Sequence, residues 1–317
     1  MLLALALFAA SGSFDAHWQQ IGPSPRPLQL NDLPIPGRRK PAPQGGDEAD
    51  ASAPAPAKRD RLSDCLSVGR DNPALAESLA EHWLAEVKVG SERVRANQCL
   101  GLMRSQQGNY DGAYAAFTEA VGLIPPAQAA GAVPLMAMAG NAALAAGKPQ
   151  DALTWLDRAL IVHDFADNAA LGAVQTDRAR ALVALGRNAD AAKALGEAHR
   201  LAPEDPEGWL LSATLARRDK DLATAQHDIE EAARLDPRNA AVGVEAGVIA
   251  MLGNREDAAR QSWQSVVATA PGSDEARTAQ GYLAQIGAGP SGVDRGQPAP
   301  TSGAASLPRG TSGDTTR

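Results

Sequence analysis

The sequence predicts an all-α protein folded as a right-handed α-solenoid, and three observations support that prediction. About one residue in five is alanine, which has the highest intrinsic helix propensity. Aromatic residues make up only 4% of the 317 residues, too few for an ordinary β-sheet core. The third observation is a pattern of small and bulky residues that recurs every 34 to 39 residues through the middle two thirds of the chain.

The repeat is defined by three positions that keep constant offsets from one another. The first is a small residue, found at Gly101, Gly140, Ala179, Ala213 and Gly247. An alanine follows twelve residues later, at Ala113, Ala152, Ala191, Ala225 and Ala259. A bulky apolar residue comes four residues after that, at Phe117, Leu156, Leu195, Ile229 and Trp263. Agreement at several offsets in five units predicts five structural repeats.

These offsets are typical of two antiparallel helices joined by a short turn. Small residues twelve apart would place one on each helix and let the two backbones approach closely. A Gly or Asn between them would supply the left-handed residue that ends the first helix. We expect the bulky residue to fill the space between one helix pair and the next. The second helices would stop at prolines, namely Pro203, Pro237 and Pro271.

A 34-residue helix–turn–helix with these features resembles the tetratricopeptide repeat. The Ala113/Phe117 pair matches the family's Ala-x3-Phe step, and Trp209 matches its tryptophan in the first helix. The resemblance covers roughly residues 94–273. Two spacings of 39 residues depart from the family, so we expect about five extra residues in the connections near 126–132 and 167–171.

The repeat pattern and the composition of the ends divide the chain into a folded middle and two disordered ends. We expect the solenoid at 61–286, with a degenerate unit at 61–93, units at about 94–127, 133–166, 172–205, 206–239 and 240–272, and a sealing helix at 273–286. Residues 17–60 are rich in proline and predict a disordered linker. Residues 287–317 are rich in Gly, Ser, Thr and Pro and predict a disordered tail.

The apolar run at residues 2–10 is too short to span a bilayer and is typical of the core of a secretory signal peptide, which we place at 1–16. The sequence therefore predicts a periplasmic or otherwise exported protein with no stable membrane anchor after signal removal. No Lys or Arg precedes the run, so the alternative is a disordered apolar tail on a cytoplasmic protein.

Composition and motifs argue against several classes of function. The net charge of −7 disfavours a general nucleic-acid binder. The five histidines are scattered without metal-ligand spacing, and no nucleophile, base and orienting group occur together. The string at 287–292 matches GxGxxG but follows a predicted helix and contains a proline, so it does not predict phosphate binding. We therefore expect no enzyme, no metal and no cofactor.

Cys65 and Cys99 are the two cysteines of the chain and stand 34 residues apart, at like positions in neighbouring units. In an exported protein such a pair favours a disulfide. Neighbouring helix axes lie about 8–10 Å apart, whereas a disulfide needs Cα atoms within about 7 Å. Two buried thiols therefore remain the alternative.

The predicted first helices carry polar and basic residues on the side that we expect to be concave. We expect partner binding there, through Arg95, Gln98, Asn141, Arg180, Thr214, Arg217 and Arg218. Four arginines in one groove would favour an acidic extended peptide or a carboxy terminus. The alternative is that these arginines are solvated and bind nothing.

The family resemblance implies a non-enzymatic scaffold that binds a peptide or a partner protein in its concave groove. The alternative is a structural subunit of an envelope assembly, secretion or pilus-biogenesis complex, which would act through the convex face and the ends of the chain.

Overall fold

The computed structural model describes residues 60–88 and 90–287. The predicted signal peptide, linker and C-terminal tail lie outside the described residues, except for Asp60 and Gly287 at the margins. In the described part all regular structure is helical, with thirteen α-helices, one short 3-10 helix at Pro126–Gln128 and no β-strand. The all-α prediction is confirmed.

The helices follow one another as α1 Arg61–Asp71, α2 Pro73–Glu86, α3 Gly90–Gln106, α4 Tyr110–Gly122, α5 Ala129–Ala145, α6 Pro149–Leu160, α7 Asn168–Ala184, α8 Asn188–Leu201, α9 Pro206–Arg218, α10 Leu222–Leu235, α11 Ala240–Leu252, α12 Glu256–Thr269 and α13 Asp274–Gly287. From α3 to α12 they form five pairs, each consisting of an odd-numbered first helix and an even-numbered second helix. The helices α1 and α2 form a leading pair, and α13 follows the last pair. This order is the α-solenoid that the repeat predicted.

Each of the five turns inside the pairs contains a residue with positive φ, which lets the chain reverse after the first helix. Glycine provides it in three turns, with φ of 76° at Gly108, 73° at Gly147 and 72° at Gly186. Asn254 provides it in the last turn with φ of 58°. Lys220 has a φ of 64° although lysine is disfavoured in this conformation, so the turn after α9 was not predictable from its residues.

The longer repeats place most of their extra residues in the first helices. The helices α3, α5 and α7 each have 17 residues, whereas α9 and α11 have 13. Both α5, from Ala129, and α7, from Asn168, begin four residues before the predicted units at 133 and 172. The expectation that the connections hold the extra residues is therefore largely wrong. An additional helical turn pairs its own backbone groups, which a longer loop leaves to water.

In three of the five pairs, the bulky residue of the second helix packs against a glycine of the first, at Gly101, Gly140 and Gly247. A Cβ atom added at Gly101 would lie 2.5 Å from the Phe117 ring, and one added at Gly247 would overlap the Trp263 indole. Phe117 and Trp263 are fully buried. The bulky residue thus fills space within its own pair, where we had expected it between pairs. We call this row of contacts the small-residue seam.

The last helix covers the end of the solenoid. It packs on α11 and α12 and buries Ala276, Ala279 and Tyr282. The Tyr282 ring lies 5.0 Å from the Trp263 ring, measured between centroids. Without α13 this aromatic end of the core would face water, as expected for the terminal unit of a repeat array.

None of the described helices is by itself long and apolar enough to cross a membrane. Two consecutive helical segments, Tyr110–Gly122 and Pro126–Ala145, are together long and apolar enough for a membrane span, but the chain bends by 107° between them.

Candidate partner-binding face

The first helices form one side of the solenoid, which we call the first-helix face. Along the chain α5 contacts α7, α7 contacts α9, and α9 contacts α11. On α7, Ala173, Arg180 and Ala184 are separated by seven and four residues, so they share one side of the helix. Both alanines are exposed and Arg180 is partly exposed. This side of α7 is accessible to another polypeptide.

Four polar side chains form a hydrogen-bonded cluster across the first-helix face, from α5 to α9. Asn141 Nδ2 donates to Asp177 Oδ2 at 2.7 Å. Arg180 lies almost one turn beyond Asp177 on α7, donates to it, and also donates from Nη2 to Glu207 Oε1 at 2.6 Å. The cluster therefore joins three successive first helices, and Arg180 lies between two carboxylates.

Burial and charge pairing oppose each other in this cluster. Desolvation raises the pKa of the Asp177 carboxyl above its ordinary value, although Arg180 and Asn141 favour the charged form. Burial by itself would lower the pKa of Arg180, but Asp177 and Glu207 outweigh it and hold that pKa above its ordinary value. Arg180 is therefore charged, and its charge is compensated by its two acidic neighbours.

Arg217 and Glu245 form a buried ion pair between α9 and α11. Arg217 Nε donates to Glu245 Oε1 at 2.6 Å, and Nη2 donates to Oε2 at 3.3 Å. The two side chains are 1% and 9% exposed. Thr214 is buried as well and donates to the Leu210 carbonyl oxygen at 3.0 Å. The expectation that Arg217 and Thr214 project into an open groove is therefore wrong, because both lie inside the packed helices.

The remaining predicted residues are spread along the face. Arg95 on α3 forms an ion pair with Asp60, and Gln98 is half-buried on the same helix. Arg218 is half-buried at the end of α9, and its Nε is buried without a hydrogen-bond partner among the described residues. The four predicted arginines do not form one cationic groove, because three of them contact carboxylates.

Sequence reasoning missed the acidic partners Asp177, Glu207 and Glu245, although a signal was present for two of them. Asp177 and Glu245 each stand two residues before the small residue of their repeat. The equivalent residues in the other units are Cys99, Met138 and Leu211. A carboxylate at a position that is otherwise apolar indicates a buried partner of opposite charge.

The two cysteines lie in α1 and α3 and are both buried. The structure joins Cys65 and Cys99 by a disulfide, with 6.5 Å between the Cα atoms. The two residues face each other where α1 contacts α3. Their Cα atoms therefore lie closer together than the axes of two packed helices usually do.

The comparisons with known proteins agree with this architecture. Residues 172–215, which cover most of α7, all of α8 and most of α9, match the tetratricopeptide repeat family. No curated protein matches the chain.

Several solved structures have a similar fold. One is PilW, described as a widely conserved type IV pilus biogenesis factor, with a TM-score of 0.59 and 15% identity over 69% of this chain and 96% of that one. Another is PilF of Pseudomonas aeruginosa, with a TM-score of 0.55 and 16% identity over 70% of this chain and 96% of that one. A third is TTC0263, a tetratricopeptide protein of Thermus thermophilus, with a TM-score of 0.51 and 17% identity over 62% of this chain and 100% of that one.

At these identities the similarity concerns the fold alone. The family match nevertheless falls within two of the five helix pairs and contains the small residues Ala179 and Ala213, which are 34 positions apart. Residues 172–215 therefore match a tetratricopeptide repeat, and the described residues have the all-helical solenoid fold of tetratricopeptide-repeat structures, a fold that implies a scaffold for protein–protein interaction.

Proposed function

We propose that the protein is a non-enzymatic scaffold that holds a partner polypeptide on its first-helix face, at the cluster of Asn141, Asp177, Arg180 and Glu207. The observation that carries the proposal is the position of this cluster, which is partly exposed and spans three first helices. The Arg180 guanidinium has five N–H donors and the Asn141 amide has two. Both side chains therefore have N–H groups that can donate to a partner in addition to the hydrogen bonds within the cluster.

The surroundings of the cluster suit a bound main chain. Ala173 and Ala184 are exposed on the side of α7 that carries Arg180, and their small side chains leave room for a backbone to approach. Because two carboxylates compensate Arg180, we expect the partner to be recognised by hydrogen bonds rather than by a net positive charge.

Site-specific photocross-linking tests this proposal in cells that produce the full chain. Benzoylphenylalanine replaces Ala173 or Ala184 on α7, or Ala192, which is an exposed alanine on the second helix α8 of the same pair. We expect the same partner polypeptide to cross-link at 173 and 184 and not at 192. Circular dichroism of each variant checks the fold. Cross-links at 192 alone would overturn the assignment to the first-helix face.

A second candidate is a structural subunit of an envelope assembly such as a pilus-biogenesis complex. The observation that favours it is that the similarity to PilW and to PilF extends over 96% of each of those chains. In this case several partners would be bound at once, and cross-links from Ala192 would identify a polypeptide different from the one at Ala184.

Export is the third part of the proposal, because the apolar run at 2–10 suits a signal peptide and disulfides persist in oxidising compartments. The 6.5 Å between the Cα atoms of Cys65 and Cys99 is compatible with such a bond. Cell fractionation, followed by alkylation without reductant and mass spectrometry, should find a processed protein without alkylated cysteines in the periplasmic fraction. Unprocessed protein in the cytosol with both thiols alkylated would contradict export.

A further inference from the structure

Trp209 fills the groove between the second helices α8 and α10. Its ring stacks on His199 of α8, with 3.7 Å between centroids and 11° between planes, and it meets His227 of α10 edge-on at 6.1 Å. The indole Nε1 donates to the Pro203 carbonyl oxygen at 2.9 Å. A large aromatic ring from the first helix therefore fills the space between two neighbouring second helices.

In the next repeat the same groove is open. The equivalent residues, each 34 positions on, are Gly243 for Trp209, Ala233 for His199, Gln261 for His227 and Pro237 for Pro203. All four line a cleft of about 310 Å³ between α10 and α12, with α11 as its floor. We call it the Gly243 cleft. Its volume lies at the lower end of the range found for ligand pockets.

The cleft stays open because of the residues at positions 243 and 266. A Cβ atom at Gly243 would lie 2.5 Å from Val266 Cγ2, so a side chain at 243 would collide with Val266. In the preceding repeat the residue equivalent to Val266 is Ala232, whose small side chain leaves room for Trp209. The chain therefore cannot fill the Gly243 cleft from α11 as it fills the groove before it.

The charged side chains at the rim of the Gly243 cleft indicate which kind of partner side chain it would bind. Asp236 and Arg238 both line the cleft. Asp236 accepts a hydrogen bond from Asn239 Nδ2 at 3.1 Å, whereas Arg238 is exposed and forms no ion pair with any described residue. Elsewhere the chain places guanidinium groups over its own indoles, with Arg158 4.1 Å from the Trp155 centroid and Arg61 5.0 Å from that of Trp83. A cation beside a ring-sized cleft favours an aromatic side chain next to a carboxylate.

We propose that the Gly243 cleft receives a tryptophan side chain from a partner polypeptide in which an acidic residue adjoins the tryptophan. The ring would take the place that Trp209 takes one repeat earlier, and the carboxylate would pair with Arg238. The cleft lies between second helices, so it is a different surface from the first-helix face and does not depend on the function proposed for that face.

An NMR titration of the ¹⁵N-labelled full chain with the blocked dipeptide N-acetyl-Trp-Asp-amide tests the proposal. We expect saturable shifts at the amides of Gly243 and Ala246. Replacing Trp by Leu in the probe should weaken binding about tenfold, since the ring stacking and cation–π contacts are lost. Replacing Asp by Asn should weaken it about threefold, as expected for one exposed ion pair. No shifts, or equal binding of the Leu probe, would overturn the proposal.

Two matched variants locate the binding. Ala233→Trp fills the cleft at the position where the preceding repeat already carries His199, whereas Ala268→Trp adds the same side chain at an exposed site on α12 outside the cleft. We expect the first to abolish probe binding and the second to preserve it. If Ala233→Trp is unfolded by circular dichroism, Gly243→Trp with Val266→Ala reproduces the preceding repeat and should block the probe. Equal binding by blocked and control proteins would overturn the proposal.

The chain has one tryptophan outside the described residues, Trp18, which follows Asp15 by three residues in the sequence. Full-length Trp18→Ala shows whether this segment competes for the cleft. We expect its affinity for the probe to equal that of the unmodified chain. An increase of several-fold would place the chain's own segment in the cleft and overturn the assignment to a separate partner.

Discussion

The glycine contacts inside a helix pair and the polar contacts between successive first helices are built from different chemistry. Inside a pair, an apolar side chain such as Phe117 or Trp263 packs onto a glycine of the first helix, and the arrangement recurs in register. Between first helices, the contacts at Arg180 and Arg217 are ionic, and each occurs once. The small-residue seam therefore carries the repeat, whereas the ionic contacts between first helices distinguish one repeat from another.

Removing a bulky residue of the small-residue seam should destabilise the protein most. Phe117→Ala should lower the free energy of unfolding by about 4 kcal/mol, because it removes a fully buried ring and leaves a cavity next to Gly101. Urea denaturation of the full chain, followed by circular dichroism, measures it. Ile161→Ala is the control, because this side chain is 67% exposed and should cost less than about 1 kcal/mol. Similar losses for both variants would mean that the seam does not carry the repeat.

A somewhat smaller effect is expected at the buried contact between α9 and α11. Glu245→Ala should cost about 3 kcal/mol, because it removes the carboxylate that compensates Arg217 in a buried site. Arg217→Met with Glu245→Leu should recover most of that loss, because no buried charge then needs compensation. The same urea denaturation measures both variants. A double variant less stable than Glu245→Ala would show that the ion pair itself stabilises the contact.

A weaker effect still is the pH dependence expected at the contact between His199 and Trp209. Burial lowers the pKa of His199, so the unfolded chain binds a proton more readily than the folded one. Stability should therefore fall as the pH drops below about 6.5, with a slope of at most about 1.4 kcal/mol per pH unit. Thermal unfolding between about pH 5 and 8 measures it, and His199→Gln should reduce the slope.

His227 provides the opposite case on the other side of Trp209. Its hydrogen bond with Asp228 raises its pKa, so its contribution to stability is present below the ordinary histidine pKa and is lost as the pH rises through the raised value. His227→Gln should therefore steepen the loss of stability at low pH. If stability depends on pH with the same slope in both variants as in the unmodified chain, neither histidine has a pKa that differs between the folded and the unfolded chain.

The candidate site was predicted only in part. The sequence placed Asn141 and Arg180 on the first helices, and the structure brings both into one cluster. The carboxylates that compensate the arginines were missed, because the contacts between neighbouring first helices join residues 27 to 36 positions apart along the chain. The relative rotation of successive helix pairs decides which side chains meet at such separations, and no local rule of spacing gives that rotation.

The amino-acid sequence alone was enough to predict the all-α class, the repeat and the residues of the small-residue seam, because those contacts link positions at a constant distance within one helix pair. Tertiary structure decided which charges are buried and compensated, as at Arg217, and where the chain leaves an open cleft, as at Gly243. It also decided that the extra residues of the longer repeats extend the first helices. Burial and charge pairing depend on neighbours from other repeats, whereas helix periodicity depends on residues within one turn or two.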